Sequence, residues 1–111
     1  MKRVLLVIGA IALVSSLSQA RSFNAKLHDE CLYVLGDHDN GRYDEEAHGY
    51  SLGVISGLKD GIPLSQQSRN ARASLGALSD YACKKALHDK SKRPFVFKYR
   101  AAALKIMKKK K

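Results

Sequence analysis

Two cysteines that follow a secretory leader constrain the fold of this chain more than any other feature. Cys31 and Cys83 are the only cysteines, and they stand 52 positions apart. Exported proteins fold in oxidising compartments, where two lone thiols usually join as a disulfide. We therefore predict one bond between Cys31 and Cys83. The chain-entropy model assigns about 4 kcal/mol of stability to a loop of that length.

The first 20 residues have the layout of a signal peptide. Lys2 and Arg3 form a charged start, residues 4–14 form an apolar run, and Ser18 and Ala20 occupy the small positions of a cleavage site. The apolar run is shorter than the roughly 20 residues that a membrane-spanning helix needs. We expect cleavage after Ala20 and export, most simply to the periplasm; an uncleaved anchor is the alternative.

Residues 21–111 then form a single domain that carries a basic balance. Eighteen of the 20 Lys and Arg and all ten Asp and Glu fall in it, so its formal charge is +8 with His neutral. Such a balance suits nucleic acid, an anionic membrane or an acidic protein, and export argues against nucleic acid. We expect the lysine tail, residues 108–111, to be a solvated terminus. Weak contact with an anionic membrane or an acidic partner is the alternative.

Apolar spacing predicts four helices and no sheet. The first spans about residues 22–35, the second starts near Asp44 and stops at Asp60 and Gly61, the third runs from Ser65 or Ser68 to His88, and the fourth follows Pro94. Their inward stripes are Leu27, Cys31, Val34 and Leu35; Ala47, Tyr50, Val54 and Leu58; Ala71, Leu75, Leu78 and Ala82; and Phe95, Tyr99, Ala102 and Ile106. The predicted fold class is all-α: a small four-helix domain closed by one disulfide between helix 1 and helix 3.

Three glycines recur on the second helix, next to its apolar stripe. Gly49, Gly53 and Gly57 stand four residues apart, and each costs a helix interior about 1 kcal/mol. We expect another backbone to pack closely against them. A groove that binds a peptide is the alternative.

The residues that could carry catalysis or hold a metal form no convincing constellation. His28 beside Asp29 and Glu30, or His38 between Asp37 and Asp39, could be drawn as a metal site, but neither has the spacing of a known one. No phosphate loop or nucleophile with an oriented base is visible. We predict no catalytic residue, no metal, no cofactor and no enzymatic activity.

The order of features resembles the HdeA/HdeB family of periplasmic acid-stress chaperones. A leader precedes a helix with one cysteine (residues 29–35), a glycine-containing helix (residues 49–54) and a second cysteine (residues 80–85). Residues 95–98 and a basic amphipathic end (residues 99–111) follow. The resemblance implies a small helical fold with the bond between Cys31 and Cys83, and a homodimer at neutral pH. It also implies that acid exposes apolar surface that keeps unfolding periplasmic proteins in solution. Client binding would fall on Tyr50, Val54 and Leu58.

The middle of the chain is also similar to the Rap/Tai-like immunity proteins of type VI secretion systems. The similarity lies in residues 47–54 together with Gly61, Ile62 and Pro63, although Ala47 and Gly61 stand where that group has cysteines. It implies a periplasmic inhibitor of an incoming cell-wall amidase. The expected function is therefore acid-stress chaperone, with amidase inhibitor as the alternative.

Overall fold

Four helices make up most of the structure, a computed structural model that describes residues 22–110. They are α1 (Phe23–Val34), α2 (Glu45–Gly61), α3 (Leu75–His88) and α4 (Phe95–Met107), with two short 3-10 turns, Leu64–Gln66 and Arg69–Arg72, between α2 and α3. The all-α prediction is confirmed. The signal-peptide prediction falls on residues outside the described range.

Polar caps begin three of the helices. The side chains of Ser22, Asp44 and Ser74 each accept a hydrogen bond from the backbone N–H three residues further on, at 3.2, 2.9 and 3.2 Å. Such caps satisfy N–H groups that have no partner inside the helix. The predicted start of α2 at Asp44 is confirmed, with the acidic residues Glu45 and Glu46 in its first turn.

The disulfide joins α1 to α3 in the centre of the domain. Cys31 and Cys83 are bonded, and both are almost fully buried. Helix α4 packs most extensively on α3 and also contacts α1 and α2. Its predicted inward residues are all buried: Phe95, Tyr99, Ala102 and Ile106. The bond between helices 1 and 3, expected from the cysteines alone, is confirmed.

The third helix begins later than predicted. Its first residue is Leu75, whereas the chain from Ser65 to Ala73 forms the two 3-10 turns and extended backbone. Tertiary hydrogen bonds hold that segment: Gln67 Nε2 donates to two carbonyls at the end of α2, and the Ser68 N–H donates to the Met107 carbonyl at 2.8 Å. These contacts override the helical spacing of the segment.

The close packing expected at the glycines of α2 is wrong. Gly49, Gly53 and Gly57 are exposed, and a Cβ built on any of them meets nothing within 4 Å. Helix α2 instead packs through the opposite side, where Ala47, Ser51 and Ile55 are buried.

The start of the lysine tail is held by the rest of the domain. Lys108 pairs with Gln67 in an isolated antiparallel bridge, and the Lys109 N–H donates to the Gln66 carbonyl at 2.8 Å. The solvated terminus expected from the sequence therefore does not begin at residue 108. The backbone is fixed there, while the lysine side chains are exposed.

Candidate functional site

A buried carboxylate connects the first two helices. Glu30 is 1% exposed, and both of its oxygens have partners from α2. Its Oε1 accepts a hydrogen bond from the Asp44 N–H at 3.0 Å, and its Oε2 lies 2.9 Å from Nδ1 of His48. Because Asp44 caps α2, Glu30 holds the beginning of that helix against α1.

The contact between Glu30 and His48 was not predicted from the sequence. Glu30 precedes the buried Cys31 on α1, and the structure turns it away from His28, which instead lies 3.1 Å from Asp29. The metal site drawn from His28, Asp29 and Glu30 therefore does not form. No cluster of three His, Cys, Asp or Glu that could hold a metal ion occurs within residues 22–110.

Two further groups face His48 from outside α1. The Tyr43 ring lies 5.6 Å from the imidazole, and Asp80 approaches from α3. Partial burial raises the pKa of Asp80, and the charge of His48 lowers it in part. The imidazole itself is about two-fifths exposed, so protons from solvent reach it directly.

A chain of hydroxyl groups leads from His48 into the core. Ser51 Oγ donates to the His48 carbonyl at 2.8 Å, and Ser79 Oγ lies 3.2 Å from Ser51 Oγ. The buried Tyr99 hydroxyl completes it, 2.9 Å from the Ser51 carbonyl and 3.0 Å from Ser79 Oγ. Burial raises the pKa of Tyr99 to about 12. This neutral network ties α2, α3 and α4 together.

The apolar residues expected to bind clients lie along the inner edge of α2. Tyr50, Val54 and Leu58 are half-buried and pack against the core. The Phe23 ring of α1 contacts the Tyr50 ring edge-on, with 4.9 Å between their centres. A movement of α2 away from α1 would uncover this stripe.

A large concave surface offers a second candidate site. It is a groove of about 1280 Å³ between the 3-10 segment and the end of α4. Seven cations line it, and none of its lining residues is acidic: the cations are Arg69, Arg72, Lys85, Lys105 and the lysines at 108, 109 and 110. Apolar surface is also present, since Leu64 is 86% exposed and Leu104 is 41% exposed. We call this surface the basic groove.

Sequence reasoning found only part of the basic groove. The lysine-rich end was noticed, but Arg69 and Arg72 were assigned to a helix. Their place opposite α4 depends on the hydrogen bonds that Ser68 makes to the end of that helix. No local pattern encodes those bonds.

The loop after α1, which holds Asp37, His38 and Asp39, is a turn closed by its own side chains. Asp37 Oδ1 accepts a hydrogen bond from the Asn40 N–H at 3.1 Å, and Asp37 Oδ2 accepts one from the Asn40 amide at 3.1 Å. These bonds lower the pKa of Asp37. The His38 ring stacks on Tyr33 rather than facing the carboxylates.

Among the described helices, none combines the length and the apolar character needed to cross a bilayer. Compared with protein-family models, with curated proteins and with solved structures, the chain shows no significant match to any of them.

Proposed function

We propose that this chain is a periplasmic acid-stress chaperone that binds unfolding proteins at low pH and prevents their aggregation. The observation that carries the proposal is the buried Glu30, which accepts hydrogen bonds from Asp44 and His48. It holds α2, the helix that carries the half-buried apolar stripe. The contact between Glu30 and α2 is sensitive to protons, and the same contact keeps the apolar stripe of α2 covered.

Acid changes the hydrogen-bonding balance at Glu30. At neutral pH its carboxylate only accepts, which suits the Asp44 N–H and a ring N–H of His48. In strong acid the carboxyl carries an O–H and the imidazolium has two N–H groups. The added O–H of Glu30 then needs a hydrogen-bond acceptor, but its two existing partners, the Asp44 N–H and the His48 ring N–H, are both donors. A buried donor without a partner costs about 1–3 kcal/mol.

Global charge acts in the same direction. In strong acid the ten carboxylates of residues 21–111 become neutral and the four His become charged. Eighteen Lys and Arg with four His then give a formal charge of +22 instead of +8. Self-repulsion of that size favours an open chain.

Asp80 opposes this opening. Burial raises the pKa of Asp80 above the unfolded value of 3.8, so the charged carboxylate destabilises the folded state above that pH. Protonation of Asp80 in acid removes this destabilisation. Opening therefore depends on Glu30 and on the total charge outweighing Asp80. The disulfide keeps α1 and α3 joined while α2 moves.

The test follows the aggregation of an acid-labile client by light scattering at about pH 2–3. The oxidised protein is expected to suppress scattering at a stoichiometric ratio. Client aggregation that is unchanged by the protein contradicts the proposal.

A Glu30→Gln variant tests the role assigned to the buried carboxylate. Its amide has one accepting oxygen, so it imitates the protonated acid. We expect protection to begin at a higher pH than in the wild type, because one of the two changes at this contact is already made. Asp39→Asn removes an equal charge from an exposed position and serves as the control. If protection of the client begins at the same pH in Glu30→Gln and in Asp39→Asn, the role assigned to the buried carboxylate is wrong.

A second candidate is a periplasmic inhibitor of a cell-wall amidase. The basic groove favours it, because this surface is open in the folded protein and needs no acid to form. This function requires tight binding at neutral pH and loss of amidase activity. Protection of clients only in acid, with no amidase inhibited at neutral pH, distinguishes the chaperone from the inhibitor.

We extend the chaperone proposal to the assembly expected from the resemblance, a homodimer at neutral pH. The exposed side of α2 that carries Gly49, Gly53 and Gly57 has room for a second backbone. Light scattering coupled to size exclusion at neutral and acid pH measures that assembly.

A further inference from the structure

The basic groove brings together cations from three separate parts of the sequence. Arg69 and Arg72 come from the second 3-10 turn, Lys85 comes from α3, and Lys105 with the lysines at 108–110 comes from the end of the chain. Within residues 22–110, no ion pair involves any of these seven side chains. No acidic residue lines the groove to offset the repulsion between these cations.

The backbone beneath these cations is fixed. The Ser68 N–H donates to the Met107 carbonyl at 2.8 Å, and the Lys109 N–H donates to the Gln66 carbonyl at 2.8 Å. The two walls of the groove are therefore tied together before any ligand arrives. A surface that is organised in advance loses less conformational freedom on binding.

We propose that the basic groove binds an extended acidic segment of a partner protein. Charge complementarity favours an anionic occupant, because cations line both walls and no lining residue is acidic. Exposed Leu64 and Leu104 add apolar surface for one or two side chains of the same segment.

The shape of the groove favours a peptide over a bilayer. Its volume of about 1280 Å³ exceeds the roughly 300–1,000 Å³ of sites for small molecules. An extended chain can enter and place carboxylates against both walls. This interaction needs no acid, so it does not depend on the chaperone activity proposed above.

The probe is a fluorescein-labelled peptide of alternating Glu and Leu, about ten residues long, and its Gln analogue is the uncharged comparison. Binding to the mature oxidised protein is measured by fluorescence anisotropy at pH 7, in low salt and at about 0.15 M salt. We expect the acidic peptide to bind, the Gln analogue to bind at least about tenfold more weakly, and salt to weaken the complex.

Charge reversal at matched positions locates the binding site. Arg69→Glu with Lys105→Glu alters the two walls, whereas Lys90→Glu with Lys92→Glu makes the same change of net charge in the loop between α3 and α4. All four side chains are exposed, and circular dichroism checks that both variants remain helical. The groove variant is expected to weaken binding at least about tenfold and the loop variant less than about twofold.

Three results overturn the proposal. One is that the peptide fails to bind in low salt. Another is that both charge-reversal variants weaken binding equally, which means that net charge alone attracts the peptide. The third is that vesicles of anionic phospholipid bind through the groove cations and the acidic peptide does not compete, which assigns the surface to a membrane.

Discussion

At the scale of single residues, buried polar groups in this domain are arranged so that each finds a partner. Within residues 22–110, no buried side-chain nitrogen or oxygen lacks a hydrogen bond. Glu30 and the hydroxyl of Tyr99 each make a hydrogen bond to a different part of the fold. An unpaired buried group costs about 1–3 kcal/mol, so these two residues matter to stability as well as to the proposed function.

Replacing Tyr99 with Phe is expected to change both stability and its dependence on alkali. At pH 7 the variant loses about 1 kcal/mol, because the Ser51 carbonyl and the Ser79 hydroxyl lose the Tyr99 hydroxyl as a hydrogen-bond partner. In the wild type the folded pKa of about 12 exceeds the unfolded value of 10.0. The unfolded state therefore loses its proton first, and stability falls as pH rises above 10, by about 1.4 kcal/mol per unit.

Urea unfolding at about pH 9, 10 and 11 measures this slope. The Tyr99→Phe variant lacks the ionisable group and is expected to show a shallower alkaline decline. Equal slopes in the two proteins would mean that Tyr99 is not the group responsible.

Sequence patterns predicted the burial of Tyr99 and Cys31 but not that of Glu30, and they did not predict the contacts that Glu30 and Tyr99 make with other helices. Tyr99 lies on the predicted inward stripe of α4, and Cys31 lies on that of α1. From the sequence, Glu30 groups with His28 and Asp29 as a possible metal site, because nothing in the local pattern indicates a partner on another helix. The partner, His48, is 18 positions away on another helix.

At the scale of elements, the two regions that depart from prediction are the α2 glycines and the connection between α2 and α3. The glycine spacing suggested contact with another backbone inside the domain, yet the stripe faces open space. The connection had helical spacing, yet it forms 3-10 turns that wall the basic groove. In both cases packing between elements, rather than local preference, decided the outcome.

Two glycine substitutions are expected to shift stability in opposite directions. Gly53→Ala adds a methyl group in open space on a helix and should raise the free energy of unfolding by about 0.5–1 kcal/mol. Gly41→Ala should lower it, because the new Cβ would lie 2.6 Å from the Asp37 carbonyl oxygen and against the Tyr33 backbone nitrogen. Thermal unfolding of both variants checks the signs.

As a control, the oligomeric state of the Gly53→Ala and Gly41→Ala variants is measured. A Gly53→Ala protein that is less stable and less dimeric would show that a second copy packs on the stripe. A Gly41→Ala protein as stable as the wild type would contradict the tight contact between the loop and the end of α1.

At the scale of the whole molecule, one covalent bond and a separation of charge organise the domain. The disulfide joins α1 to α3, which are distant in sequence. Most acids lie in residues 28–60, at α1, the following loop and α2, while seven cations line the basic groove. A domain of this size has a small core, so a single cross-link contributes a large share of its stability.

Reducing the disulfide is expected to lower the stability of the mature protein by up to about 4 kcal/mol. In a domain of this length, 1 kcal/mol corresponds to roughly 4–8 °C, so the midpoint should fall by up to about 16–32 °C. Calorimetry with and without reductant measures the shift. An unchanged midpoint, or two reactive thiols in the unreduced protein, would contradict the assigned bond.

Local sequence patterns account for the helical class, the start of α2 at Asp44, the buried stripe of α4 and the disulfide. Each of these depends on a local period, on a capping side chain or on the chemistry of a single pair of thiols. Only the tertiary structure decided that Glu30 meets His48, that the glycines of α2 face outward and that Arg69 joins Lys105 in one groove. These pairings depend on how the helices are rotated and offset against one another, and summed packing across the whole core sets that geometry.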